Sequence, residues 1–162
     1  MAQRLITSAI GLVVFFCVLP APAAIFSIAV LLVTMLAAYE VNNAVTKLNV
    51  LKLIGIICSA IIFAGQYFGY LAESIIAVFA IYLFVSVIIY GKEKIQNIYV
   101  SAFATVVFSS FLSALAVIKR DYTAYAVLLP FIFAWITDSG AYFAGRFLGK
   151  HKLAPILSPK RQ

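Results

Sequence analysis

The chain has 162 residues, of which 65% are hydrophobic and only 10% charged, and its twelve lysines and arginines against five acids give a net charge of +7. A soluble domain runs near half apolar and a quarter charged, so one soluble core cannot absorb this sequence and the excess has to face lipid. In a soluble protein the charge would raise nucleic acid as a partner, but here the basic residues sit in short loops between apolar runs, which points to topology and lipid phosphates and counts against nucleic acid.

Hydropathy predicts an all-α, polytopic membrane protein of about six spans, forming a single membrane domain over 1–162. The opening stretch Met1–Leu19 has the outline of a signal peptide, but five more apolar segments follow, so Leu5–Leu19 reads as a first span. The next spans are Ala23–Val41, Leu51–Leu71, Ser74–Tyr90, Tyr99–Ile118 and Tyr125–Leu148. The breaks carry turn or charge signals: Pro20-Ala21-Pro22, Lys47 to Lys52, Glu73, Gly91 to Asn97, and Lys119-Arg120-Asp121. No alternation long enough to make a strand competes with the helices.

Within the spans, Cys17 and Cys58 read as packing residues, since they define neither a disulfide framework nor a metal spacing. Glu40 closes the second span at the interface. Gly65-Gln66-Tyr67-Phe68-Gly69 has the small-xxx-small spacing of a helix contact, and Ser109, Ser110 and Ser113 read as packing or hydrogen-bonding residues between helices. Pro130 is placed to kink the sixth span.

Basic residues set the orientation. With the N-terminus in the cytoplasm of a bacterial-type inner membrane, that side holds Arg4, Lys47, Lys52, Lys92, Lys94, Arg146, Lys150, Lys152, Lys160 and Arg161, and the other side holds Lys119 and Arg120. The reverse orientation inverts this ten-to-two bias. The densest basic segment is therefore expected in the cytoplasm.

The sixth span carries the chemistry. Asp138 lies eight residues, or about 12 Å of helix, before Arg146. A carboxylate at that depth costs about 2.5–3.5 kcal/mol on insertion scales, so it should meet protein, water or a cation. Tyr142, Gly145 and Gly149 continue its face, and Ser139, Gly140, Ala141 and Ala144 leave room for a helix or a lipid headgroup. The plainer reading is an Asp that only orients its neighbours. Beyond it, Arg146, Lys150, Lys152, Lys160 and Arg161 with Ser158 gather where the helix emerges, a set suited to phosphate oxygens. On charge alone, pinning of the helix end explains them equally well, and His151 reads as a solvated loop residue. The sequence has no Walker loop, nucleophile elbow or zinc pattern.

The string Trp135-Ile136-Thr137-Asp138-Ser139-Gly140-Ala141-Tyr142-Phe143-Ala144-Gly145-Arg146-Phe147-Leu148-Gly149-Lys150-His151-Lys152-Leu153-Ala154-Pro155, continued by Ile156-Leu157-Ser158-Pro159-Lys160-Arg161, resembles a segment of the phosphatidate cytidylyltransferases. Arg4-Leu5-Ile6-Thr7 and Ala38-Tyr39-Glu40 resemble that family's opening arginine and the acid that closes its second span. The resemblance implies condensation of CTP with phosphatidic acid to CDP-diacylglycerol and pyrophosphate, with Mg²⁺ as cofactor and membrane lipids as surroundings. A homodimer is a further expectation.

The resemblance also implies that Asp138 and Tyr142 act in catalysis and that Arg146, Lys150, Lys152, Ser158, Lys160 and Arg161 bind substrate phosphates. Asp138 becomes a metal ligand, and Arg161 stands where the family usually has lysine. The family's C-terminal signature, which carries its main metal ligands, is not in this sequence. The expectation is therefore a fragment, a truncated product or one part of a split enzyme, inactive alone. The alternative is a non-catalytic membrane scaffold or small transporter whose basic tail binds anionic lipid.

The charge bias yields a direct prediction. Reporters fused before Met1 and after Gln162 should both be active in the cytoplasm. Activity of the second only on the far side of the membrane would overturn the orientation.

Overall fold

Hydrocarbon offers no water to the backbone, so an apolar run long enough to cross it closes its own hydrogen bonds as a helix. The structure, a computed structural model, describes residue 11 and residues 13–148. The helices are α1 (Ala23–Val45), α2 (Asn49–Phe68), α3 (Leu71–Ile88), α4 (Ile95–Asp121) and α5 (Leu128–Leu148), and residues 13–18 are helical as well. Among the described residues the only strand-like pairing is an isolated bridge of Tyr90 with Glu93. Helices α1–α4 are each long and apolar enough to cross a membrane. Of the expected first span, Leu5–Leu19, residues 5–10 and 12 lie outside the described residues. The chain divides into two compact units, one ending at Ala124 and one beginning at Tyr125.

In the first unit the bundle is packed with its small and polar residues inside. Along α1 the buried row is Phe26, Val30, Thr34, Ala38 and Asn42; along α4 it is Ser101, Thr105, Ser109 and Ser113. Residues four apart form one ridge of a helix, and small side chains in that ridge let backbones approach closely. Helix α4 touches α1, α2 and α3, and its contact with α1 is the most extensive. The large side chains point outward: Leu36 on α1, Ile57 on α2, Phe84 on α3 and Phe111 on α4 are all exposed. A water-soluble bundle would bury these and expose the serines; here the outer surface matches lipid. An apolar cluster of Leu51, Cys58, Ile62, Val78, Tyr82, Val85, Ile89, Ile98 and Ala102 fills the space among α2, α3 and α4.

One polar node ties the four helices together. Asn42 of α1 is fully buried. Its amide Nδ2 donates to Thr105 Oγ1 of α4 at 3.1 Å and to the Ala38 carbonyl at 2.7 Å. The Ser101 hydroxyl of α4 donates to Asn42 Oδ1. From α3, the Tyr82 hydroxyl lies 3.1 Å from Thr105 Oγ1 and 3.5 Å from Ser101 Oγ. Helix α2 takes part through an absence of side chain: a Cβ on Gly55 would run into the Asn42 amide. In a membrane each interhelical hydrogen bond contributes about 0.6 kcal/mol, up to roughly 1.7.

Several boundaries and small motifs differ from the sequence reading, each for a local reason. Helix α2 stops at Phe68, short of Leu71, because Gly69 adopts the left-handed conformation at φ +87°. The amide of Tyr70 donates to the Gly65 carbonyl at 2.6 Å and that of Gly69 to Gln66 at 3.3 Å, the two bonds of a Schellman cap. Gly69 is thus a helix terminator, and only Gly65 makes the close contact expected of the pair, against Ser74 of α3. Ser113 meets expectation by bridging to Gln66 Oε1 at 2.5 Å. Pro130 falls in the first turn of α5, where its missing N–H is not needed, so it starts the helix and does not kink it.

The two cations that oppose the charge bias have structural partners. Lys119 Nζ donates to the Leu19 carbonyl at 2.8 Å, and an Arg120 N–H donates to the Tyr67 carbonyl, with the guanidinium 4.8 Å over the Tyr67 ring. Both carbonyls end helical segments, where orphan acceptors and the helix dipole favour a positive charge. At the opposite end of the bundle a loop clip joins α1 to α4. Thr46 Oγ1 donates to the Glu93 carboxylate, which also accepts from Asn97 Nδ2 at 2.8 Å and from the Lys94 amide at 3.0 Å. The Thr46 bond, then Asn97, then the Lys94 amide hold the Glu93 carboxyl below the usual carboxylate range.

Two measurements follow from this packing. Gly55→Leu forces the Asn42 amide aside and should destabilise the bundle by about 1–3 kcal/mol in detergent unfolding, whereas Gly69→Asn should be nearly neutral. Equal losses for the two would contradict the node. The clip has a pH signature. The Glu93 pKa is depressed on folding, so its contribution is full above the ordinary carboxylate pKa and is lost as pH falls through the folded value. Thr46→Val should flatten this acid-side loss of thermal stability, and an unchanged profile would remove the clip from the account.

Candidate functional site

Helix α5 carries those candidate residues that lie within the described part of the chain, Asp138, Tyr142 and Arg146. Its first turn follows a tight turn in which the Leu128 and Leu129 amides donate to Tyr125 and Ala126 carbonyls. Apolar residues from Leu128 to Ile136 give way to the polar run Thr137-Asp138-Ser139-Gly140. Thr137 turns its hydroxyl back onto the Phe133 carbonyl at 2.7 Å, so it satisfies itself within the helix.

Helical geometry sorts what comes next onto two faces. Asp138, Tyr142 and Arg146 lie four residues apart, so they advance along one face a turn at a time. Phe143 and Phe147 occupy another face, stacked at 6.1 Å between ring centroids. Arg146 Nη1 donates to the Tyr142 hydroxyl at 3.3 Å, which turns the guanidinium back along the helix toward the side of Asp138. Arg146 also sits in the last turn of α5, where a cation is favoured by the dipole.

The described part of the site thus holds one carboxylate, one phenol and one guanidinium in sequence along a helix. A guanidinium presents its donors in a planar fork that fits two phosphate oxygens, and here the phenol accepts from one of those donors. Lys150, Lys152, Ser158, Lys160 and Arg161, together with His151, lie outside the described residues. Among the described residues no three His, Cys, Asp or Glu side chains gather in a group that can hold a metal ion. Asp138 is the one carboxylate of α5. A magnesium ion is commonly held by one or two carboxylates plus substrate phosphates and water, so Asp138 fits as a single ligand of a shared ion and not as a protein-built cage.

The model of the cytidylyltransferase family matches residues 2–162, which takes in the bundle, α5 and the basic tail. The chain belongs to the cytidylyltransferase family. Among curated proteins, it is similar to phosphatidate cytidylyltransferases of Staphylococcus epidermidis and Staphylococcus saprophyticus, at 51% identity over 35 residues in each case. The enzyme of that name from Staphylococcus aureus is 49% identical over 35 residues. These alignments cover 22% of this chain and 14% of each relative's length. No solved structure matches the chain. Family membership gives no support to the small-transporter alternative.

Proposed function

We propose that this family member takes part in the condensation of CTP with phosphatidic acid, which yields CDP-diacylglycerol and pyrophosphate at the cytoplasmic face of a bacterial-type inner membrane. The observation that carries the reading is the Asp138–Tyr142–Arg146 face on a membrane-protein helix of a cytidylyltransferase. In the reaction a phosphatidate oxygen bonds to the α-phosphorus of CTP as the bond to the β-phosphate oxygen breaks. Both substrates are anionic, so the protein's task is to bring negative groups together and to stabilise the charge that shifts onto pyrophosphate.

Arg146, oriented by Tyr142, holds phosphate oxygens in this proposal, and Lys150, Lys152, Ser158, Lys160 and Arg161 extend the same function along the tail. Asp138 serves as a ligand for Mg²⁺, which when bound neutralises phosphate charge. The +7 net charge and the cytoplasmic placement of most cations agree with a site that collects CTP from solution and a phosphate headgroup from the bilayer.

The test uses membranes from cells that overproduce the protein bearing this chain, supplied with labelled CTP, phosphatidic acid and Mg²⁺. Label should appear in CDP-diacylglycerol and be lost in Asp138→Ala. A charge-assisted phosphate contact is worth about 1.5–3 kcal/mol, so Arg146→Ala should lower kcat/KM by roughly 10- to 150-fold at equal protein level. Unchanged turnover and unchanged KM for both substrates would remove Arg146 from the site.

A further inference from the structure

The cleft between the end of α3 and the start of α4 lies within the first unit and is lined by none of the α5 residues of the proposed reaction. Ser86, Val87, Tyr90, Ile95 and Tyr99 line a groove of about 280 Å³ on the outer surface of the bundle. Val87, Tyr90 and Tyr99 are strongly exposed, and Ser86 turns its hydroxyl inward to the Leu83 carbonyl at 2.7 Å, which leaves the groove wall apolar. Tyrosines at the end of a span mark the headgroup level, where an apolar ring body meets lipid and a hydroxyl meets water. Gly91, at φ +80°, turns the chain at the rim.

Immediately at this rim stand Lys92 and Lys94, both exposed. Glu93 between them makes no ion pair with either lysine; its carboxylate accepts from Thr46, Asn97 and the Lys94 backbone amide, and its one negative charge is outnumbered by the two lysines. The one ion pair among the described residues is Arg120 with Asp121, at the far end of α4. The Thr46–Glu93 bond also ties in the loop that carries the exposed Lys47, so in these two joined loops exposed lysines outnumber the one acid.

We propose that this groove is a binding site for one anionic phospholipid that is not a substrate: an acyl chain lies along Val87, Ile95 and the two tyrosine rings, and the phosphodiester sits between Lys92 and Lys94. Charge complementarity selects the occupant. A zwitterionic lipid brings a cation of its own against the lysines, and a soluble phosphate lacks the chain that fills the groove. The site is independent of the proposed reaction, because it uses no residue of α5 or of the basic tail.

The experiment is native mass spectrometry of the full chain released from detergent with added phosphatidylglycerol or phosphatidylcholine of identical acyl chains. One phosphatidylglycerol should be retained in preference to phosphatidylcholine. Each lysine near anionic lipid contributes about fivefold in affinity, so Lys92→Gln with Lys94→Gln should weaken phosphatidylglycerol binding by roughly 30-fold and leave phosphatidylcholine unchanged. Ser86→Trp, which fills the groove, should weaken both. Thermal unfolding in detergent checks that the variants remain folded, and Lys47→Gln with Lys94→Gln serves as the second pair if the first does not.

A parent with Lys150, Lys152, Lys160 and Arg161 neutralised removes the tail as a competing site, and in it the preference should persist. Millimolar inorganic phosphate should not displace the lipid. Equal retention of the two lipids by the parent chain, or a preference that survives loss of both rim lysines, overturns the proposal. Displacement by phosphate alone also overturns it, by showing a bare anion site.

Discussion

Inside a bilayer a polar side chain has no water to fall back on, and the four-helix unit is organised around that constraint. Asn42, Ser101, Thr105 and Tyr82 meet because each is the partner another needs, and helices α1, α3 and α4 are held in register by that mutual requirement. The hydrophobic effect contributes little here, since lipid tails are as apolar as the leucines they touch. Close approach and complementary hydrogen bonds decide which helix faces go inward. This is why Gly55 and Gly65, both set against side chains of neighbouring helices, matter more to the packing than the many exposed isoleucines and phenylalanines.

Helix existence was legible in the sequence because it depends on a gross property, the length of an apolar run. All the expected spans within the described residues are present as helices, with ends shifted by a few residues. The shifts come from features that hydropathy does not weigh: the Gly69 cap, the Pro130 helix start, and the extension of α1 to Val45. The inner face was harder to read. Its markers are serine, threonine and asparagine at four-residue spacing, and hydropathy averages register these as a slight dilution of an apolar stretch. The row Ser101, Thr105, Ser109, Ser113 was readable in principle from spacing alone. Its partner on α1 was not, since Asn42 sits where the sequence reading had already ended the span.

The candidate site residues stood out in the sequence for a different reason. Asp138 and Arg146 are conspicuous because charge in an apolar helix is rare, and their spacing places them on one face without any knowledge of tertiary structure. What spacing does not reveal is the Arg146 to Tyr142 bond, which depends on a rotamer, or the destination of Lys119 and Arg120. In a count of charges those two residues are an exception. In the structure they close the ends of helical segments distant in sequence, a task that only three-dimensional proximity discloses.

The central position of α4 has a consequence for how the chain is made. Asn42 emerges 59 residues before Ser101 and 63 before Thr105. At ordinary synthesis rates of about 5–20 residues per second, α1 is in the membrane for roughly 3–13 s before its partners exist. During that interval the Asn42 carboxamide has no interhelical partner on α4 and bonds to its own helix through the Ala38 carbonyl. The polar node therefore stays open until α4 has been made. Arrival of α4 supplies partners to Asn42 of α1 and Tyr82 of α3 together, so one late element closes the node for two earlier ones.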